Sequence, residues 1–221
     1  MGPESTIAYY HDIVYGVRDR LGKDFFPNLT VESVSVFDVL RLCKEKEYNE
    51  LTDYLYRAVD NLAKSGADFA VLSANTPHIV FDRLQTLSPI PLISIVESSC
   101  KEAEKRGYKK IGLPGTVFTV TEEFFKKPFA DKNIEIVVPT DSEIEFVDNK
   151  IETELKRGIV RKETYAAFSK IINRMRAEEN IEGIILGCTE LPLLLNDENC
   201  PVPCLDTMQI HVKDIIDEIL S

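Results

Sequence analysis

Apolar positions along the chain fall into two alternating patterns. Ile7, Tyr10, Ile13, Val14 and Val17 recur at helical spacing within residues 5–21, and that stretch stops at Gly22. Residues 29–36 are rich in β-branched side chains and predict a strand, whereas 48–63 return to the helical period and stop at Gly66. A second strand is predicted over 69–72. It runs into Ser73-Ala74-Asn75-Thr76-Pro77-His78, and after a helix Pro89-Ile90-Pro91 leads into an apolar strand at 92–96. The outline then recurs: a helix ending at Gly107, a strand at 111–113, the loop Gly115-Thr116, a helix, a strand at 134–138, two helical stretches and a strand at 183–186. Short Val/Ile runs without polar alternation are strands covered on both faces by crossover helices. The fold class is therefore α/β, with mostly parallel sheets flanked by helices.

The recurrence can be followed residue by residue. Residues 68–76 align with 182–190 at an offset of 114, pairing Ala74 with Cys188 and Asn75 with Thr189, and Pro89-Ile90-Pro91 matches Pro201-Val202-Pro203 at an offset of 112. Two pseudo-symmetric domains are expected. Their equivalent loops lie at the carboxyl ends of equivalent parallel strands, where open α/β sheets place ligands, so an active-site cleft between the halves is expected too. The same register pairs Gly115 with Met1, so the strand before Gly115 has no counterpart in the first half. An upstream Val/Ile-rich strand ending in glycines is expected to supply it.

Charge narrows the partners. With 26 Lys and Arg against 37 Asp and Glu, the formal net charge is −11, which disfavours nucleic acid and anionic membrane surfaces. No apolar run approaches the roughly 18 residues that cross a bilayer, and no basic-then-apolar leader opens the sequence, so a soluble cytoplasmic protein is expected. The five cysteines, Cys43, Cys100, Cys188, Cys200 and Cys204, are an odd count in a chain large enough to need no disulfide staples, and free thiols are expected. Cys200 and Cys204 lack a second Cys or His cluster, so they read as loop and strand cysteines and no metal is expected.

Cys188 stands in Leu186-Gly187-Cys188-Thr189-Glu190, directly after an apolar strand. A buried cysteine is often an inert small hydrophobe. Here the strand end, the room left by Gly187 and the polar Thr189 and Glu190 at an expected helix N-terminus, whose dipole lowers a thiol pKa, point to a nucleophile or an acid/base. Asn75 and Thr76 occupy the matching first-half loop as N-caps or as part of a carboxylate-binding turn, and Thr116 and Thr119 repeat that logic. Thr189 joins them as a candidate substrate contact. His78 reads as a packed histidine or an acid/base. Phosphate-binding glycine signatures, zinc spacings and a Gly-x-Ser-x-Gly elbow are absent from the sequence.

Met1-Gly2-Pro3-Glu4-Ser5-Thr6, Asn75-Thr76-Pro77-His78, Leu186-Gly187-Cys188-Thr189-Glu190-Leu191 and Asp206-Thr207 through His211, in that order, resemble the aspartate/glutamate racemase family over nearly the whole chain. The resemblance implies a cofactor-independent, PLP-independent isomerase of small acidic amino acids or dicarboxylates, usually a homodimer. It also implies that the final helix returns to the first domain, giving domains at 1–95 plus 206–221 and at 96–205. In the family two cysteines face opposite sides of the α-carbon. Carried over, Cys188 is one of them, while the other falls on Ala74, which has no titratable atom; Ser73 and His78 are then the nearby candidates for the second acid/base. Lys156 matches a lysine that some aspartate-specific members set against the side-chain carboxylate. The alternative is a one-cysteine decarboxylase or isomerase of the same fold, or a racemase-like protein without racemase activity.

Overall fold

The structure, a computed structural model, describes residues 2–221. Met1, and with it the pairing to Gly115, lies outside the described residues. The chain divides into two compact units, one formed by residues up to Ser98 together with Met208–Ser221 and the other by Ser99–Thr207.

In the first unit the order is α1 (Pro3–Leu21), α2 (Val36–Lys44), α3 (Tyr48–Lys64), β1 (Ala70–Val71), a 3-10 turn (Thr76–Val80), α4 (Phe81–Leu87) and β2 (Leu92–Ile93). The chain leaves this unit along α5 (Ile95–Lys105). The second unit holds β3 (Lys110–Gly112), α6 (Val117–Thr121), α7 (Lys126–Asp131), β4 (Glu135–Val137), α8 (Asp141–Thr153), α9 (Lys162–Glu179), β5 (Gly183–Leu186) and β6 (Cys204–Asp206), and α10 (Thr207–Ile219) ends the chain.

α1 opens on a proline, whose missing N–H costs nothing in a first turn, and closes where Gly22 adopts φ +60° and donates its N–H to the Arg18 carbonyl. Its buried face, Tyr9, Ile13 and Val17, packs on Val212, Ile215 and Ile216 of α10. A Cβ at Gly16 would overlap the Ile216 side chain, so glycine permits this close approach.

The strand expected at 29–36 is not formed. These residues are irregular up to Ser35, whose hydroxyl accepts the Asp38 N–H at 3.3 Å and starts α2 at Val36. β-Branched composition makes a strand only where a ladder partner exists. Among the described residues the first unit's sheet is the parallel pair β1-β2. Val31 is half exposed, and Leu29–Ser33 line a cavity of about 960 Å³ with Phe69, Val71 and Ile219.

The second unit carries a four-stranded parallel sheet in the order β4-β3-β5-β6. All four residues of β5 are buried, as a central strand covered on both faces requires. The duplication extends to register: Ala70 faces Leu92 and Val71 faces Ile93 in the first unit, and Ile184 faces Cys204 and Ile185 faces Leu205 in the second. These positions are related by the same offsets of 114 and 112 found in the sequence.

Candidate active site

The second unit assembles a site where β5 ends. Thr207 donates its hydroxyl to the Leu186 carbonyl at 3.2 Å and ties that end to the start of α10. Gly187 follows. A Cβ there would stand 2.8 Å from Leu113 Cδ1 and 3.2 Å from the Pro114 carbonyl oxygen, so only glycine lets the chain pass the loop after β3. Cys188 emerges next, half-buried.

The expected helix N-terminus after Cys188 is not there. Beyond Glu190 the chain makes one 3-10 turn, Leu191–Leu193, and three residues are too few to sum a helix dipole. The thiol is accordingly not acidified. Its pKa is raised well above that of a free cysteine, first by burial, then by the negative charge of Glu190 and by the hydrogen bond that Cys188 Sγ donates to Glu190 Oε2 at 2.8 Å; the Lys156 charge pulls the other way. Thr189 donates its hydroxyl to the same carboxylate oxygen at 3.0 Å. Cys188 therefore rests as a thiol whose proton points at a carboxylate.

Lys156 sits on the 3-10 turn Leu155–Arg157, which Gly158 stops at φ +69°. Its ammonium donates to Glu152, one turn earlier. Burial opposes the charge, but the hydrogen bond to Glu152 and the negative carboxylates Glu152 and Glu190 outweigh it and raise the pKa. A cation thus stands in the field of the thiol, already paired with a carboxylate of its own. Thr116 and Thr119 border the same strand end. The Thr116 hydroxyl accepts the Thr119 N–H at 3.4 Å as the cap of α6, the two hydroxyls share a 3.1 Å hydrogen bond, and the Thr119 methyl is 3.5 Å from where a Gly187 Cβ would be.

The first unit's loop is built differently. Ser73 is half-buried, its hydroxyl 3.4 Å from that of Thr6. Ala74 follows, then buried Asn75, whose side chain makes no cap on the 3-10 turn that Thr76 opens. His78 is buried and both ring nitrogens are engaged: Nδ1–H donates to the Ala74 carbonyl at 3.0 Å and Nε2 accepts the Ile95 N–H at 3.3 Å. Burial foremost, with the nearby His211, lowers its pKa to about 3. The ring also stacks on Phe81 with centroids 5.0 Å apart. This is a neutral histidine that locks its loop. His211 is built alike: the Tyr9 hydroxyl donates to its Nδ1 at 2.8 Å, its Nε2–H donates to the Ile93 carbonyl at 3.0 Å, and burial lowers its pKa to about 4.

The second unit thus brings Cys188, Thr189, Lys156, Thr116 and Thr119 to the end of β5, while Ser73, Asn75, Thr76 and His78 lie together in the first unit's loop. Sequence reasoning treated Glu190 only as a polar flank of Cys188 and did not single out Glu152. The signals were present: a carboxylate two residues past a cysteine, and a Glu-Lys pair four apart on a helical stretch.

Comparison with known proteins agrees with this architecture. Residues 1–215 match the Asp/Glu/hydantoin racemase family. The chain is 22% identical over its full length to the broad specificity amino-acid racemase RacX of Bacillus subtilis, covering 96% of that protein. Its fold is similar to that of an aspartate racemase homologue from Pyrococcus horikoshii, with TM-score 0.87 and 32% identity over 99% of this chain and 95% of the other. The aspartate racemase of Picrophilus torridus shares the fold at TM-score 0.75 and 18% identity, over 99% of this chain and 90% of that one.

Proposed function

Because the chain belongs to the Asp/Glu/hydantoin racemase family, we propose that it catalyses proton transfer at the α-carbon of a small acidic amino acid such as aspartate or glutamate, without a cofactor, with Cys188 as the acid/base on one face. The observation that carries this reading is the Cys188 Sγ to Glu190 Oε2 hydrogen bond of 2.8 Å beside the Lys156 charge. A thiol must lose its proton before it can take one from carbon, and Glu190 is placed to receive it while Lys156 favours the thiolate. The thiolate then abstracts the α-proton, and the re-formed thiol returns a proton to the same face of the carbanion.

Lys156, with Thr116, Thr119 and Thr189, is assigned to the substrate's carboxylates, and Asn75 and Thr76 are assigned as further contacts. On the opposite face the position matching the family's other cysteine is Ala74, which offers neither proton nor lone pair. Ser73 is the better candidate for that face, because both His78 nitrogens are already bonded. Exchange at one face is therefore faster than inversion. A homodimer is the assembly the family resemblance implies.

Solvent deuterium exchange at the α-position of L- and D-aspartate tests the reading. Exchange of one enantiomer, abolished in Cys188→Ser with the fold retained, is the expected result. Exchange of neither enantiomer, or full activity in Cys188→Ser, would overturn it.

A further inference from the structure

Between α8 and α9 the chain crosses the surface of the second unit, and among residues 152–163 Glu154 and Leu155 alone are buried. Lys156 follows these two anchors directly. Leu155 is seated in the apolar cluster that also takes Leu186 and Leu191, against which Cys188 packs. Glu154 is a different kind of anchor: among the described residues it is the one carboxylate that is buried, with 6% of its surface exposed. Burying a charge is costly unless its oxygens find donors.

Both oxygens do, and the donors come from separate elements. Lys150 Nζ, one turn earlier on α8, donates to Glu154 Oε1 at 2.5 Å, and Arg161 Nε stands 3.8 Å from the same oxygen. The Thr164 hydroxyl, buried in the first turn of α9, donates to Oε2 at 2.5 Å. The Lys150 and Thr164 hydrogen bonds hold the carboxyl below its ordinary pKa, so it stays charged at neutral pH. The Glu154 carbonyl adds two ties, accepting the Arg157 N–H at 2.9 Å and the Ile159 N–H at 3.0 Å. One residue thus joins α8, the Leu155–Arg157 turn and α9.

We propose that Glu154 is a positioning residue for substrate binding, its buried carboxylate fixing the turn from which Lys156 reaches a substrate carboxylate. The inference rests on the assignment of Lys156 made above. A three-residue 3-10 turn has too few internal hydrogen bonds to hold its own place, and the residues after it are exposed. The Glu154 oxygens are occupied by Lys150, Thr164 and Arg161, so Glu154 acts on Lys156 through the two peptide units between them. Fixing the base of a long side chain leaves less of it to be ordered when the substrate arrives. The hydrogen bond from Cys188 to Glu190 involves none of these groups, so Glu154 governs affinity and not the proton transfer itself.

Calorimetric titration with L-aspartate tests this on the full-length chain. Glu154→Ala and Lys156→Met are each expected to weaken binding by about ten-fold, and the double variant no further than Lys156→Met alone, as for residues acting as one unit. Glu154→Gln, which still accepts the Thr164 hydroxyl, should recover most of the affinity, and Thr164→Val, close in shape to threonine, should lose it as Glu154→Ala does. Losses that multiply in the double variant would overturn the inference, as would unchanged affinity in Thr164→Val, which decides the matter if Glu154→Ala fails to fold. Binding is read apart from exchange. An unaltered chain that binds aspartate without exchanging its α-proton overturns the proposed reaction and not this inference, and one that binds no aspartate overturns both.

Discussion

Glu190 accepts the Cys188 thiol proton at 2.8 Å, from two residues further along the same turn. The contact acts in two directions. It raises the thiol's pKa through the carboxylate charge, and in the proposed mechanism it provides the place to which the proton goes.

Glu190→Gln separates these effects. Without the negative charge the thiolate is less penalised, so the Cys188 pKa falls and alkylation by iodoacetamide at fixed mildly alkaline pH speeds up. α-Proton exchange slows nonetheless, by about ten-fold or more, because the acceptor is gone. A variant that alkylates faster and also exchanges faster would show that Glu190 only restrains the thiol.

Ala74→Cys restores a thiol at the position paired with Cys188 by the repeat. Ala74 is partly exposed and its carbonyl, not its methyl, holds His78, so one added sulfur disturbs little. Racemization of aspartate is expected to rise by at least about ten-fold, corresponding to about 1.4 kcal/mol of barrier. Circular dichroism of the product, starting from each enantiomer, measures it.

Gly187→Ala forces a methyl to within 2.8 Å of Leu113 Cδ1 and 3.2 Å of the Pro114 carbonyl oxygen. Overpacking of this kind costs about 1 to 3 kcal/mol. Urea unfolding should show the loss, and α-proton exchange should fall with it because the next residue is Cys188.

The two buried histidines set an acid limit on stability. His78 and His211 are held neutral with folded pKa values of about 3 and about 4, below the ordinary 6.5. In that window the unfolded chain binds protons that the folded chain does not, so stability falls as pH drops below about 6.5 and continues to fall toward the folded values. Each histidine should remove about 2 kcal/mol between pH 7 and 5. Urea unfolding at the two pH values measures the slope, and His78→Gln, whose side-chain oxygen can still accept the Ile95 N–H, should flatten it.

Most helices and strands were legible because their codes are local, although α2 and the division of 117–131 into two helices were not read. α1 stops at Gly22, where a left-handed residue is needed, and β5 spans Gly183–Leu186, where an unbroken apolar run leaves no face for solvent. Even the strand registers Ala70 to Leu92 and Ile184 to Cys204 follow the two offsets visible in the sequence. The placement of Cys188 just past a buried strand was legible for the same reason, since the loop after such a strand is where an α/β sheet presents a side chain.

What only the tertiary structure decided depends on groups far apart in the chain. Residues 29–36 have the composition of a strand, but a strand is a relation between two segments and no described segment pairs with them. Thiol acidity likewise depends on neighbours: Cys188 is set by burial, by Glu190 and by Lys156, which lies 32 residues upstream. His78 could be read from sequence as an acid/base or as packing, and the Ala74 carbonyl and the Ile95 N–H decide for packing. A sequence displays which groups a chain carries and the local periods that fold them into elements. Partnership, desolvation and field exist only once the elements have packed.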